Sequence, residues 1–440
     1  MDMNDTICAV CTGVGGALGV IRLSGPEALG VGLKVWRGRG LDEPRRMVLG
    51  RIAVTGEPAL AVYMKGPASY TGDDVVEIQI HGGGAAARRT LAACVDAGAR
   101  PAGPGEFTFR AFANGRMDLT QAEAVADVVA AESDRGLELA TRQLSGALGT
   151  RIGAMRRELT DVLGELESQL DFSEEHLDWA APDDLCRRVS AVIAAIKTLA
   201  DTYEAGRRCR DGVAVVLAGR PNVGKSSLLN ALVGRERSIV TPEAGTTRDV
   251  IEERAVLRNL PVRLIDTAGI RAAGSLAESL GVDRARAELK SADAVFWVLD
   301  AGAPEPDDGA ELADVTCPVI AVWNKCDLPH GALPELPYDT VEISAEKHTG
   351  FDALLDRFEN AVWHGAAPAV PEAAVNERHL ALLGTASGLL DEALPEIAAE
   401  RCELAASLVR PAIDALGEIT GETAGTDVLD NIFSRFCIGK

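Results

Sequence analysis

Residues Gly219 to Ser226 of this 440-residue sequence read GRPNVGKS, a G-x-x-x-x-G-K-[ST] run between the apolar stretch VAVVLAG and the helical SSLLNALV. In that setting glycines let backbone N–H groups close on phosphate oxygens, Lys225 reaches the β and γ oxygens, and Ser226 ligates Mg2+. Some forty residues on, VRLID ends in Asp266, Thr267, Ala268 and Gly269. A carboxylate at a strand end can hold the magnesium shell, and a glycine N–H can sense the γ-phosphate. Two later apolar runs end in Asn324-Lys325-Cys326-Asp327 and in Ser344-Ala345. Asp327 can accept hydrogen bonds from the N1–H and exocyclic amine of guanine, a donor pair that adenine lacks. Four such segments in this order point to bound GTP. The position after DTAG, where many small GTPases place a water-orienting glutamine, is Ile270, which cannot serve. Glu278, in RAAGSLAES, is the acid best placed to act instead, and Arg271 offers a cation.

These residues need a scaffold that brings strand ends together. Between residues 208 and 366 the runs VAVVLAG, VRLID, AVFWVLD and VIAVWNK are short and almost wholly apolar, as expected of parallel strands buried on both faces and alternating with helices. Residues 1–116 mix the β-type runs GVIRLSG, LAVYMKG and VVEIQIHGGG with one helix expected from about Ala85 to Ala97, an α+β pattern. From Met117 the chain turns helical. Ala124, Val128 and Ala131, and then Leu159, Val162, Leu163 and Leu166, fall on single helix faces, and Thr120 with Glu123 forms a capping box. Helical spacing returns from about Pro371. The expected architecture is an N-terminal α+β domain (1–116), a discontinuous helical domain (117–207 and 367–440), and an inserted α/β P-loop, Ras-like G domain (208–366).

Composition narrows the class. With 47% hydrophobic and 25% charged residues the chain is expected to be folded and soluble; it has no apolar run long enough for a membrane span and no secretion-signal pattern at its start, so it reads as cytoplasmic. Nine cysteines, an odd number, are expected to stay reduced, and the lone Cys8-x-x-Cys11 lacks the second pair that a zinc site needs. The net charge of −22 argues against nucleic-acid work, yet the four successive segments carry +2, −9, −8 and −7, so the acidity spares the N-terminal part. His81-Gly82-Gly83-Gly84 imitates an esterase oxyanion loop, but no G-x-S-x-G accompanies it.

Asn222 in the P-loop, GTTRD at Gly245 to Asp249, DTAG, NKCD, IRLSG, EIQIHGG, NGRMDLTQAEA and the final Phe436-Cys437-Ile438-Gly439-Lys440 together resemble the MnmE (TrmE) family of tRNA-modifying GTPases over essentially the whole chain. The stretch CTGVGGALG departs from the PPGRG-like wording common in that family. The resemblance implies a potassium-stimulated GTPase whose G domains dimerise across the nucleotide. It implies K+ at Asn222, Thr241, Glu243 and Thr246, Mg2+ at Ser226, Thr247 and Asp266, and catalysis by Glu278 and Lys225. The GTP contacts implied are Asn222, Val223, Gly224, Lys225, Ser226 and Ser227; Thr241, Pro242, Glu243, Ala244, Gly245, Thr246 and Thr247; Asp266, Thr267, Ala268 and Gly269; and Asn324, Lys325, Asp327, Ser344 and Ala345. A 5-formyl- or methylene-tetrahydrofolate derivative is implied at Arg22, Glu77, Arg116 and Lys440, with Cys437 needed for modification.

The family further implies a homodimer working with an FAD-dependent MnmG (GidA)-type enzyme to build a carboxymethylaminomethyl or aminomethyl group on wobble uridine, tRNA being held mainly by that partner. The competing reading is a switch GTPase for ribosome or RNA assembly without folate chemistry. It predicts a basic RNA-binding module, which the segment charges do not show.

Overall fold

The computed structural model describes residues 3–171, 180–235, 252–266, 287–304 and 312–440. They form two compact units, Met1–Val129 with Arg142–Ala200 and Glu377–Lys440, and Ala130–Thr141 with Asp201–Asn376. Residues 130–141, 201–207 and 367–376, read from sequence as helical-domain material, group with the second unit. Elements are numbered in chain order.

In the first unit, strands β1 (Ile7–Val10), β2 (Leu18–Ser24), β3 (Trp36–Arg37), β4 (Val48–Ile52), β5 (Pro58–Met64), β6 (Val75–His81) and β7 (Arg100–Pro101) form one sheet in the order β3-β4-β5-β6-β2-β1-β7. The three runs expected as strands are β2, β5 and β6. Ala59, Ala61 and Tyr63 of β5 point inward in strict alternation. They meet Val31 and Val35 of α1 (Ala28–Val35) and Ala87 and Cys94 of α2 (Gly84–Asp96) in one core.

Helices α3 (Glu106–Ala113), α4 (Leu119–Ala130), α6 (Ala147–Asp171) and α7 (Pro182–Ala200) follow, while most of the intervening α5 (Asp134–Leu144) groups with the second unit. The expected stripe Leu159, Val162, Leu163 and Leu166 is buried on α6. Two details of α4 differ from expectation. The helix stops at Ala130, so Ala131 lies beyond it, and its buried residues include Leu119, Ala122 and Val125. Its capping box is Asp118 with Gln121 rather than Thr120 with Glu123: Asp118 Oδ1 accepts from Gln121 N at 2.9 Å, and Gln121 Oε1 accepts from Asp118 N at 3.0 Å. The helix starts two residues earlier than the Thr-x-x-Glu pattern suggests, and Glu123 is thereby released for a long-range contact.

That contact reaches the C-terminal helices α11 (Glu377–Ala398), α12 (Cys402–Thr420) and α13 (Thr426–Ser434). Glu123 Oε2 accepts from Arg378 Nη2 at 2.9 Å and lies 2.8 Å from Nε2 of the buried His379. Burial alone would raise the Glu123 carboxyl, but His379 and Arg378 outweigh it and hold its pKa at about 2.

The second unit holds α8 (Tyr203–Arg210), α9 (Lys225–Arg235), α10 (Phe351–Trp363) and strands β8 (Val213–Ala218), β9 (Glu252–Leu257), β10 (Leu260–Asp266), β11 (Ala294–Asp300), β12 (Val319–Asn324) and β13 (Asp339–Glu342). The sheet order is β13-β12-β11-β8-β10-β9, parallel throughout except for the β9–β10 pair. Val215 and Leu217 of β8 feed one core and Val216 and Ala218 the other, which is why these strands read as unbroken apolar runs. No described helix is long and apolar enough to cross a membrane.

Removing a charge from a buried ion cluster leaves its partners uncompensated, so Glu123→Gln should lower unfolding free energy by about 3 kcal/mol. Because the folded carboxyl titrates below its ordinary value of 4.5, its stabilisation is complete above that value and fades as pH falls toward about 2. Urea unfolding of both proteins across that range tests this: the variant should lack this part of the acid-side decline.

Candidate functional site

In a doubly wound parallel sheet the carboxyl ends of the strands share one edge, and loops leaving them converge there. The loop between β8 and α9 starts with Gly219 and ends at Lys225, the first residue of α9, so the helix N-terminus and its free N–H groups face that edge. Gly224 has φ +100°, and a Cβ there would fall 2.2 Å from Asn324 Nδ2, so only glycine fits. Asn222 also has positive φ, 66°, a conformation that asparagine tolerates better than most residues.

Lys225 is buried, and its Nζ donates to Gly219 O and Arg220 O at 2.7 Å each. Ser226 Oγ donates to Asp266 Oδ2 at 2.9 Å, which brings two of the three expected magnesium ligands together from α9 and the end of β10. Hydroxyl and carboxylate oxygens are the hard donors that Mg2+ prefers. Asn324, at the end of β12, joins two segments: its Nδ2 donates to Val223 O at 2.9 Å, and its Oδ1 accepts from Ala345 N at 3.0 Å. Lys325 Nζ donates to Asn222 O at 2.8 Å and to Asp300 Oδ2 at 2.6 Å. Asp300, at the end of β11, escaped the sequence reading because its role appears only once β11 and β12 lie side by side. Ser344 is buried, and Ser227 and Asp327 are exposed. Thr241, Pro242, Glu243, Ala244, Gly245, Thr246, Thr247, Thr267, Ala268, Gly269, Ile270, Arg271 and Glu278 lie outside the described residues.

A second constellation occupies the first unit. Arg22 on β2 and Glu77 on β6 are register partners, with Arg22 Nε donating to Glu77 Oε1 at 2.8 Å. The guanidinium lies 5.3 Å from the Tyr70 ring centroid and 5.5 Å from that of Phe107, cation–π distances. The last residues of the chain run past this pair. Pro104 and Ile438 form an antiparallel bridge, Phe107 N donates to Lys440 O at 3.2 Å, and Arg22 Nη1 donates to Gly439 O at 3.4 Å. Gly439 has φ +100°, and a Cβ there would meet Val10 O at 2.8 Å, so the tail can lie this close only with glycine. Phe433 and Phe436 anchor it, Phe433 meeting Phe109 edge-on at 5.3 Å.

Of the four residues expected at a folate site, Arg22, Glu77 and Lys440 are thus brought together. Arg116 is exposed between α3 and α4, and no hydrogen bond or ion pair joins it to the others among the described residues. Cys437 is exposed beside Ile438. Cys11, read from sequence only as half of the Cys8-x-x-Cys11 pair, also faces this place; burial, with Glu77 nearby, raises its thiol against the opposing pull of Arg22 and Lys440. Beneath it, the buried Arg110 and half-exposed Arg100 bind Asp5 and Glu106, fixing the start of α3 against β1.

A family model described as MnmE helical domain matches residues 119–437, and one described as GTP-binding protein TrmE N-terminus matches residues 6–116. The tRNA modification GTPase MnmE of Chloroflexus aurantiacus is 44% identical over 455 residues, covering 100% of each chain. The protein of the same name from Geobacter sulfurreducens is 42% identical, again over 100% of each, and that from Symbiobacterium thermophilum is 42% identical over 99% of each.

Asn324→Ala would orphan Val223 O and Ala345 N, each costing about 1–3 kcal/mol when left unpaired. GTP affinity measured by calorimetry should fall by roughly tenfold or more while the far-ultraviolet circular dichroism stays unchanged.

Proposed function

Because the chain belongs to the MnmE family of tRNA modification GTPases, we propose that it couples GTP hydrolysis to building a carboxymethylaminomethyl or aminomethyl group at carbon 5 of wobble uridine in certain tRNAs. The protein is a GTP hydrolase. The modification chemistry would be shared with an FAD-dependent MnmG-type enzyme, and a tetrahydrofolate derivative would supply the one-carbon unit. The observation that supports this reading is the path of the C-terminal tail, in which Ile438 bridges Pro104 and Gly439 O accepts from Arg22 Nη1, with Cys437 and Lys440 on either side of those two residues. A switch without folate chemistry gives that path no task.

Each side chain then has a role. Glu77 keeps a second carboxylate oxygen for an amide-and-amine ring edge, the partly buried Tyr70 offers an aromatic face, and Lys440 suits an anionic glutamate tail. In the G unit, Ser226 and Asp266 would hold Mg2+ with Thr247, and Lys225 would neutralise charge on the β- and γ-phosphates. Bound Mg2+ and K+ supply positive charge beside the transferring phosphoryl group. Asn222 would share K+ with Thr241, Glu243 and Thr246, and Glu278 would orient the attacking water. The working form is a cytoplasmic homodimer, with tRNA held mainly by the partner enzyme.

Nucleoside mass spectrometry of tRNA from a deletion strain tests the reading. The modified wobble uridine should disappear and return on complementation; an unchanged nucleoside profile sinks it. For the cation, GTP turnover in potassium should exceed that in sodium by on the order of 10² or more, the scale of a well-placed electrostatic stabiliser. Equal rates would remove potassium from the mechanism.

A further inference from the structure

The guanine-side edge of the second unit carries a group of side chains that GTP hydrolysis does not use. Cys326 follows β12, Glu342 is the last residue of β13, and His330 lies on the segment between them. One ligand atom from each, the Cys326 sulfur, a His330 ring nitrogen and a Glu342 carboxylate oxygen, lies within 4.8 Å of the other two. We propose that Cys326, His330 and Glu342 form a binding site for a borderline-soft divalent transition metal, Zn2+ foremost, separate from the magnesium ligands at Ser226 and Asp266.

The backbone sets the spacing. β12 and β13 are parallel, with Trp323 opposite Glu342. Ile343 N donates to Trp323 O at 2.8 Å, and Cys326 N donates to Ile343 O at 3.1 Å, so the residue after the strand is held against the end of its neighbour. Leu328 N donates to Lys325 O at 3.0 Å, turning the chain so that His330 comes back toward Cys326. Tetrahedral coordination at about 2.0–2.3 Å places ligand atoms roughly 3.3–3.8 Å apart. His330 and Glu342 are exposed and can close the remaining difference by side-chain rotation.

The donor set selects the metal. A thiolate, an imidazole and a carboxylate suit Zn2+ with water as fourth ligand, whereas Mg2+ and Ca2+ prefer oxygen alone. His330 Nδ1 lies 3.0 Å from Gly331 O; a proton donated there leaves the lone pair on Nε2, the backbone-carbonyl support that metal-binding histidines use. The Glu342 carboxylate makes no hydrogen bond or ion pair among the described residues, so no cation of the protein already claims it. The Cys326 sulfur donates its proton to Trp323 O at 3.3 Å, and burial together with Glu342 raises this thiol. Metal binding would replace that proton, which leaves to solvent, by a divalent charge that both Cys326 and Glu342 favour.

The site lies within the guanine-reading segment, since Cys326 stands between Lys325 and Asp327. A metal clipped across Cys326, His330 and Glu342 would tie the loop bearing Asp327 to the end of β13.

The test uses the tag-free full-length protein with Co2+ as the spectroscopic probe, in excess Mg2+. A thiolate-to-cobalt charge-transfer band and strong tetrahedral d–d bands should appear at one equivalent and be displaced by Zn2+. Cys326→Ser should abolish the charge-transfer band, while Cys11→Ser and Cys437→Ser keep it. His330→Ala and Glu342→Gln, at exposed positions that leave the fold intact, should each weaken Zn2+ binding by about tenfold or more in a chelator competition. No charge-transfer band, a band that survives Cys326→Ser, or unchanged affinity in both exposed-site variants would overturn the proposal.

Discussion

The placement of the last sixty-four residues rests on a carboxylate contributed much earlier in the chain. Glu123, on α4, takes the Arg378 guanidinium and approaches the His379 imidazole at the start of α11. The contact joins segments separated by the whole second unit in sequence, and it lies where the returning chain re-enters the first. Once α11 is fixed there, α12 and α13 follow with short connections, and α13 delivers Phe433 to Phe109 and Phe112 of the N-terminal region, with Phe436 against Phe433 just beyond the helix. The tail's approach to Arg22 and Glu77 therefore depends on a buried charge cluster far from it in sequence. Such a cluster stabilises only while complete, which makes it a device of register more than of raw stability.

In the second unit the equivalent constraint is made of uncharged groups. Asn324 presents a donor and an acceptor at fixed separation and spans from the P-loop carbonyl of Val223 to the amide of Ala345. Three loops that would otherwise move independently are thus tied by one rigid amide. Gly224 is part of the same arrangement, because the asparagine occupies the space a side chain would need. The P-loop, the residues expected to hold magnesium and the strand end expected to read guanine are positioned together.

What the sequence discloses follows from the range over which each interaction acts. P-loop residues sit within eight positions of one another, and their chemistry is local, so GRPNVGKS can be read without a structure. Strand runs buried on both faces are equally plain. Helix starts are less so: two overlapping capping patterns occur around Thr120, and the use of Asp118 with Gln121 goes together with the contact of Glu123 to Arg378, a tertiary interaction that no local pattern shows. Glu77 and Arg22 can each be nominated from residue type, but their pairing depends on the β2–β6 register. Cys326, His330 and Glu342 carry no metal-binding motif, since their proximity comes from two parallel strands and a turn.

The acidity of the chain shapes how it must hold a nucleotide. Segment 208–366 carries a net charge of −8, so a triphosphate approaches against the protein's overall field. Screening confines that repulsion to about 8 Å at physiological ionic strength, and binding is decided by what lies inside that distance. There the structure places the N-terminus of α9 and the ammonium of Lys225, while Asp300 draws Lys325 toward the base side. Backbone N–H groups and a helix end add positive potential without adding net charge. Phosphate affinity can thus coexist with strong overall acidity, because the donors that matter are short-range and oriented. The same reasoning separates this site from tRNA recognition, which needs charge spread over a broad surface. A net charge of −22 is therefore compatible with phosphate binding at an oriented, short-range site, while it leaves little spread positive charge for RNA.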